Sequence, residues 1–141
     1  MLRKKEREPS RFETGDAALK LSVHTMNITS NPKIFNPMHG GIINRLKSDS
    51  ALIYHLVRTA NDVRVKGEKD ARKRTDMQNQ AYELCDRMTT MIMISQGLFH
   101  LRFSKAEYWN SLVERTQVLI HKWQKSDFDR YKEKGYIWDV G

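Results

Sequence analysis

The sequence predicts an all-α fold, an antiparallel four-helix bundle, on three observations. Apolar residues recur at steps of three and four in four separate stretches, no stretch keeps a period of two, and Pro or Gly punctuates the joins. At 141 residues the chain suffices for one hydrophobic core and is short for two. Short connections between long helices then place consecutive helices side by side.

Residues 1–14 are mostly Arg, Lys, Glu, Pro and Ser, too polar to offset the entropy of ordering, and read as a flexible basic arm. The bundle is assigned to residues 15–130 and a C-terminal tail to 131–141. From Asp16 to about Ser30, Leu19, Val23 and Met26 form the apolar stripe of a first helix, with Asp16 or Thr14 available to cap it. Pro32 and Pro37 break that helix, and Ile34 and Phe35 are expected to plug the loop onto the bundle.

Asn36 and Pro37 supply a cap and first position for a second helix, which Gly40 and Gly41 weaken by about 1 kcal/mol each. Its stripe runs through Ile42, Leu46, Ile53, Leu56, Val57, Ala60 and Val63, interrupted by Asp49 and Ser50. Gly67, as the usual residue past a helix C-terminus, predicts an end near Lys66. The third helix carries the clearest seam, Met77, Ala81, Leu84, Met88, Met91, Ser95 and Leu98, with Ile92, Ile94 and Phe99 beside it. Ser104 and Glu107 form a capping box for the fourth, whose face is Trp109, Leu112, Thr116, Leu119 and Trp123, widened by Tyr108, Val113 and Ile120. The final residues, with Tyr136 and Trp138, read either as a docking peptide or as a frayed end.

Composition narrows the function classes. The net charge of +8 favours polyanionic partners: nucleic acid, an acidic protein surface or an anionic membrane surface. No segment has the ~18 consecutive apolar residues that span a bilayer, and the charged N-terminus lacks the apolar core of a secretory signal, so a cytoplasmic location is expected. Cys85 is the only cysteine, which excludes an internal disulfide, and its apolar setting predicts buried packing. His24, His39, His55, His100 and His121 form no paired metal-ligand spacing, and no phosphate-binding glycine loop is present; neither metal nor cofactor is expected.

The charge is clustered. Arg58 to Arg74 holds seven basic against three acidic residues, with Arg58, Arg64, Lys66, Lys69, Arg72, Lys73 and Arg74 as candidate phosphate contacts. Lys122, Lys125 and Arg130, followed by Lys132 and Lys134, form a second concentration near Trp123 and Tyr131, and Arg3, Lys4, Lys5, Arg7 and Arg11 a third. Whether these share one end of the bundle depends on helix lengths that the spacing leaves open.

One spacing suggests an enzyme. Arg115 and His121 are similar to the R-x(4–6)-H signature of the HEPN ribonucleases, in which such a pair cleaves RNA at a dimer interface. With 12 Arg and 5 His the spacing arises readily by chance, and six steps along a helix set two side chains about 120° apart.

A broader resemblance rests on Gly15-Asp16-Ala17, Asn31-Pro32-x-Ile34-Phe35, Tyr82-x-x-Cys85-Asp86, Tyr108-Trp109 and Trp123-x-Lys125-x-Asp127. Across about residues 15 to 130 the chain resembles the accessory variability determinant family, helical-bundle proteins encoded beside reverse transcriptases in diversity-generating retroelements. The resemblance implies a homopentamer without chemistry of its own that binds the reverse transcriptase and the retroelement RNA. The long charged arm and aromatic tail depart from that pattern. A protein-only oligomeric scaffold is the remaining alternative.

Overall fold

The computed structural model describes residues 12–136. Helix α1 spans Glu13–Thr29, α2 Gly40–Asp62, α3 Glu68–Leu98 and α4 Phe103–Glu133, with a single 3-10 turn at Pro37–His39. Among the described residues there is no strand. Helix α1 packs on α2 and α4, α2 on α3, and α3 on α4, so the four enclose one core. Along the α3–α4 seam Arg74 meets Asp127, Asn79 meets Gln124, and Asp86 meets Gln117. Numbers thus rise along one helix as they fall along the other.

Local chemistry sets the helix limits. Ser30 Oγ donates to the Met26 carbonyl at 2.6 Å as α1 ends. Asn31 Oδ1 accepts from the Lys33 amide, and Asn36 Oδ1 from the Met38 amide, so two side-chain turns carry the loop where the prolines forbid helix. Phe35, 1% exposed, is the predicted plug; its ring lies 4.5 Å from Phe99 and 6.0 Å from Trp109. Ile34 packs partly buried against the same core.

Three boundaries differ from the sequence reading. Helix α2 stops at Asp62, five residues before Gly67, because Val63 turns extended and the chain runs on as a connection. Gly67 instead precedes α3, and Asp70 of its first turn accepts a hydrogen bond from the Lys66 amide at 3.0 Å. The Ser104 capping box does not form either: the helix starts at Phe103, with Arg102, two residues earlier than Ser104, in the capping position. Of the residues assigned to the arm, Glu13 and Thr14 are helical and Phe12 packs edge-on against Trp123 at 5.0 Å. The arm's remaining residues, and Trp138 of the tail, lie outside the described residues.

The α1 stripe is also turned around. Leu19, Val23 and Met26 face outward, while Ala18, Leu21, Ser22, Thr25 and Thr29 face the core. Trp109 Nε1 donates to Thr25 Oγ1 at 3.0 Å across the α1–α4 interface. In α3 and α4 the predicted faces hold at Ala81, Met88, Ser95, Trp109, Leu112, Val113, Thr116 and Ile120, whereas Ile94, Leu98 and Tyr108 are exposed.

The core is threaded with hydroxyls that satisfy themselves. Thr25, Thr75, Ser95 and Thr116 each donate to the carbonyl four residues back, at 2.8 Å, and Ser50 to the one three back. Asp49, read from the sequence as an interruption of the α2 stripe, is buried and accepts two hydrogen bonds from Arg87 of α3 at 2.9 and 2.7 Å.

Candidate nucleic-acid interface

The end of the bundle opposite Phe35 is formed by the α2–α3 connection, the first turns of α3 and the last turns of α4. Two of the basic concentrations meet there. Asp127 of α4 joins them: its wholly buried carboxylate accepts from Arg74 Nε at 2.7 Å and Nη2 at 3.1 Å, from Gln78 Nε2 at 2.8 Å, and from Arg130 Nη2. Arg74 also stacks over Trp123, its guanidinium carbon 5.1 Å from the ring centroid. Phe12, edge-on to the same ring at 5.0 Å, brings the start of α1 to the same end.

Each candidate contact has a distinct setting. Arg64 and Lys66 are exposed on the connection, and Lys69 and Lys73 on the first turns of α3. Arg72 is exposed but paired with Glu68 one turn back at 3.5 Å. Arg74, only 12% exposed, is drawn into the bundle by Asp127 and differs from its neighbours in kind. Arg130 is exposed over about half its side chain while keeping its bond to Asp127. Arg58, Lys122 and Lys125 are exposed further back along α2 and α4.

Residues 62–76 and 122–134, which form this end, carry eleven basic against seven acidic side chains, and that surplus creates a field that attracts a polyanion. Asp127 draws the two concentrations together at the cost of part of Arg74's and Arg130's charge. Residue order alone missed Asp127 and Tyr131 as the frame of this end. The available signal was that Asp127 follows Trp123 by four residues, and so shares its inward face. Burial, with Asp127 nearby, pushes the Tyr131 hydroxyl up to about 12, so it stays protonated.

The Arg115 and His121 pair is split. Arg115 reaches Glu13 of α1 at 3.4 Å, whereas the His121 ring lies 6.4 Å from Tyr82 of α3, on the opposite flank of α4. Cys85 is buried, and burial together with Asp86 pushes its thiol up to about 12. Among the described residues no three His, Cys, Asp or Glu side chains gather as a metal site, and no helix is long and apolar enough to cross a membrane. A separate groove of about 480 Å³ between α1 and α4 is lined by His24, Asn27, Ile34, Lys105 and Tyr108 among others.

No protein-family model, curated protein or solved structure matches the chain.

Proposed function

We propose that the chain is a non-catalytic accessory subunit that binds RNA through the basic end of an antiparallel four-helix bundle. The convergence of Arg64, Lys66, Lys69 and Lys73 with Arg130 and Lys134 on one end is the observation that supports this reading. The resemblance to the accessory variability determinant family supplies its context. In that context the subunit is cytoplasmic and homo-oligomeric, a pentamer by resemblance. It binds a reverse transcriptase and the retroelement transcript, and supports mutagenic cDNA synthesis.

Salt titration of RNA binding tests it. Each phosphate contact contributes about −0.7 to the slope of log affinity against log salt for a single strand. Charge reversal at Arg64, Lys66 and Lys69 is expected to weaken binding and flatten that slope by about 2. An unchanged affinity and slope would remove the basic end from the interface.

The outward apolar stripe of Leu19, Val23 and Met26 favours a second reading, a scaffold that binds protein only. Sedimentation with and without RNA separates the two, since a protein-only scaffold sediments identically in both.

A further inference from the structure

Within the basic end lies a pocket of about 170 Å³, walled by Val63 and Val65 of the connection, Arg74 of α3, and Arg130, Tyr131 and Lys134 at the end of α4. Its volume is below the about 300–1,000 Å³ of pockets that enclose a drug-sized ligand, so it suits one chemical group rather than a whole nucleotide. Among the described residues no carboxylate lines it. Asp127 stands behind it, wholly buried, and takes two hydrogen bonds from Arg74 and one from Arg130. Each guanidinium carries five N–H donors, so most of them are left over, and Lys134 adds three more.

The charge balance selects the group. Three cations, Arg74, Arg130 and Lys134, against the single carboxylate of Asp127 leave two positive charges. A phosphomonoester carries about −1.5 to −2 at neutral pH, whereas an internal phosphodiester carries one charge and must both enter and leave the site. The donors are set in advance: Asp127 holds both guanidiniums, and Tyr131, 5% exposed, is held between Phe128 and Tyr136 with ring centroids at 6.2 and 5.9 Å. Gly135, in the left-handed region at φ 74°, closes α4 by letting the Tyr136 amide reach back to the Tyr131 carbonyl at 2.9 Å. That turn carries Lys134 at the mouth of the pocket.

We infer that this pocket seats the terminal phosphomonoester of a nucleic-acid strand. The inference rests on the RNA-binding reading above and adds to it a preference for strand ends. Val63 and Val65 supply the apolar wall that a bare basic surface lacks.

The test is fluorescence anisotropy of the full chain with one short single-stranded RNA in three forms: 5′-phosphate, 3′-phosphate, and hydroxyl at both ends. One phosphorylated form is expected to bind about tenfold more tightly than the hydroxyl form, the strength of one or two charge-assisted hydrogen bonds. That ratio should fall to one in Lys134→Gln, and also in Val65→Phe, which fills the pocket and leaves every charge in place. Thermal melts of both variants establish that they fold, and the ratio is insensitive to a general loss of affinity.

Equal binding of all three RNAs would overturn the pocket assignment while leaving the RNA-binding reading intact, as would a ratio that survives in both folded variants. Absence of binding to every form would overturn the RNA-binding reading and the strand-end assignment together. Inorganic phosphate that binds with dependence on Lys134 and Val65 in that case would mark a free-phosphate site instead.

Discussion

Asp127 and Arg74 form a two-pronged ion pair across the α3–α4 seam, with the carboxylate wholly buried and the guanidinium 12% exposed. Removing one partner of such a pair strands the other charge where water cannot reach it fully. Asp127→Ala is therefore expected to cost about 3 kcal/mol in urea denaturation. Replacing the buried partners together, Arg74→Met and Gln78→Met with Asp127→Leu, should recover most of that loss. A single-variant loss below about 1 kcal/mol, the worth of a surface pair, would contradict the burial argument.

His24 gives stability a dependence on pH. Burial first, then the charges of Lys105 and Lys20, lower its pKa below the ordinary 6.5. The unfolded chain therefore takes up this proton at higher pH than the folded chain does. Stability should fall as pH drops through 6.5 and level off below the folded pKa. His24→Phe keeps a ring beside Tyr108 and removes the titration. The difference in urea midpoint between the two proteins should change across that window, and a constant difference would sink the assignment.

Cys85 should be inert. With its thiol pushed up to about 12 and its side chain buried, iodoacetamide at mildly alkaline pH is expected to modify it only as fast as the protein unfolds. Mass spectrometry across a urea series reads this directly. Rapid labelling without urea would show that α3 opens locally.

His100 closes α3 from the left-handed region, at φ 53°, with the Leu101 amide reaching back to the Gln96 carbonyl at 3.2 Å. A side chain in that conformation costs about 1 kcal/mol that glycine avoids. His100→Gly should accordingly stabilise the protein by up to about 1 kcal/mol, measured by thermal or urea unfolding. A net destabilisation would show that the imidazole contributes more than its backbone strain costs.

Leu19 and Val23, exposed on α1, offer a test of self-association. Leu19→Lys with Val23→Lys should leave the helical circular-dichroism spectrum unchanged and shift the sedimentation coefficient toward that of a single chain. An unchanged sedimentation profile would remove this stripe as a contact between copies.

The periodicity made α3 and α4 legible, because Ala81, Met88, Trp109 and Leu112 are apolar residues whose spacing alone selects one face. The orientation of α1 was not legible. Its inward residues are small or hydroxylated, and a count of large apolar side chains passes over Ser22, Thr25 and Thr29 in favour of Leu19 and Val23. Asp49 and Asp127 escaped for a related reason: a carboxylate reads as solvent-facing until its guanidinium on another helix is located. Gly67 is compatible with the end of one helix or the beginning of the next, and Val63 decides it by turning extended. For the candidate site, the basic residues themselves could be read off the chain, while their meeting at one end depended on where α2 stops and how far α4 runs.

The self-satisfied hydroxyls have a consequence for how the helices find their alignment. A threonine bonded to its own helix exerts no pull along the seam, so Thr75, Ser95 and Thr116 would tolerate a neighbour displaced by one turn. Axial alignment then falls to directional links between helices, and those that reach a buried side chain are Asp49 with Arg87, Asp127 with Arg74 and Gln78, and Trp109 with Thr25. These act as three pegs in an otherwise slippery stack, and the peg at Asp127 is the one that sets the basic residues of α3 level with those of α4.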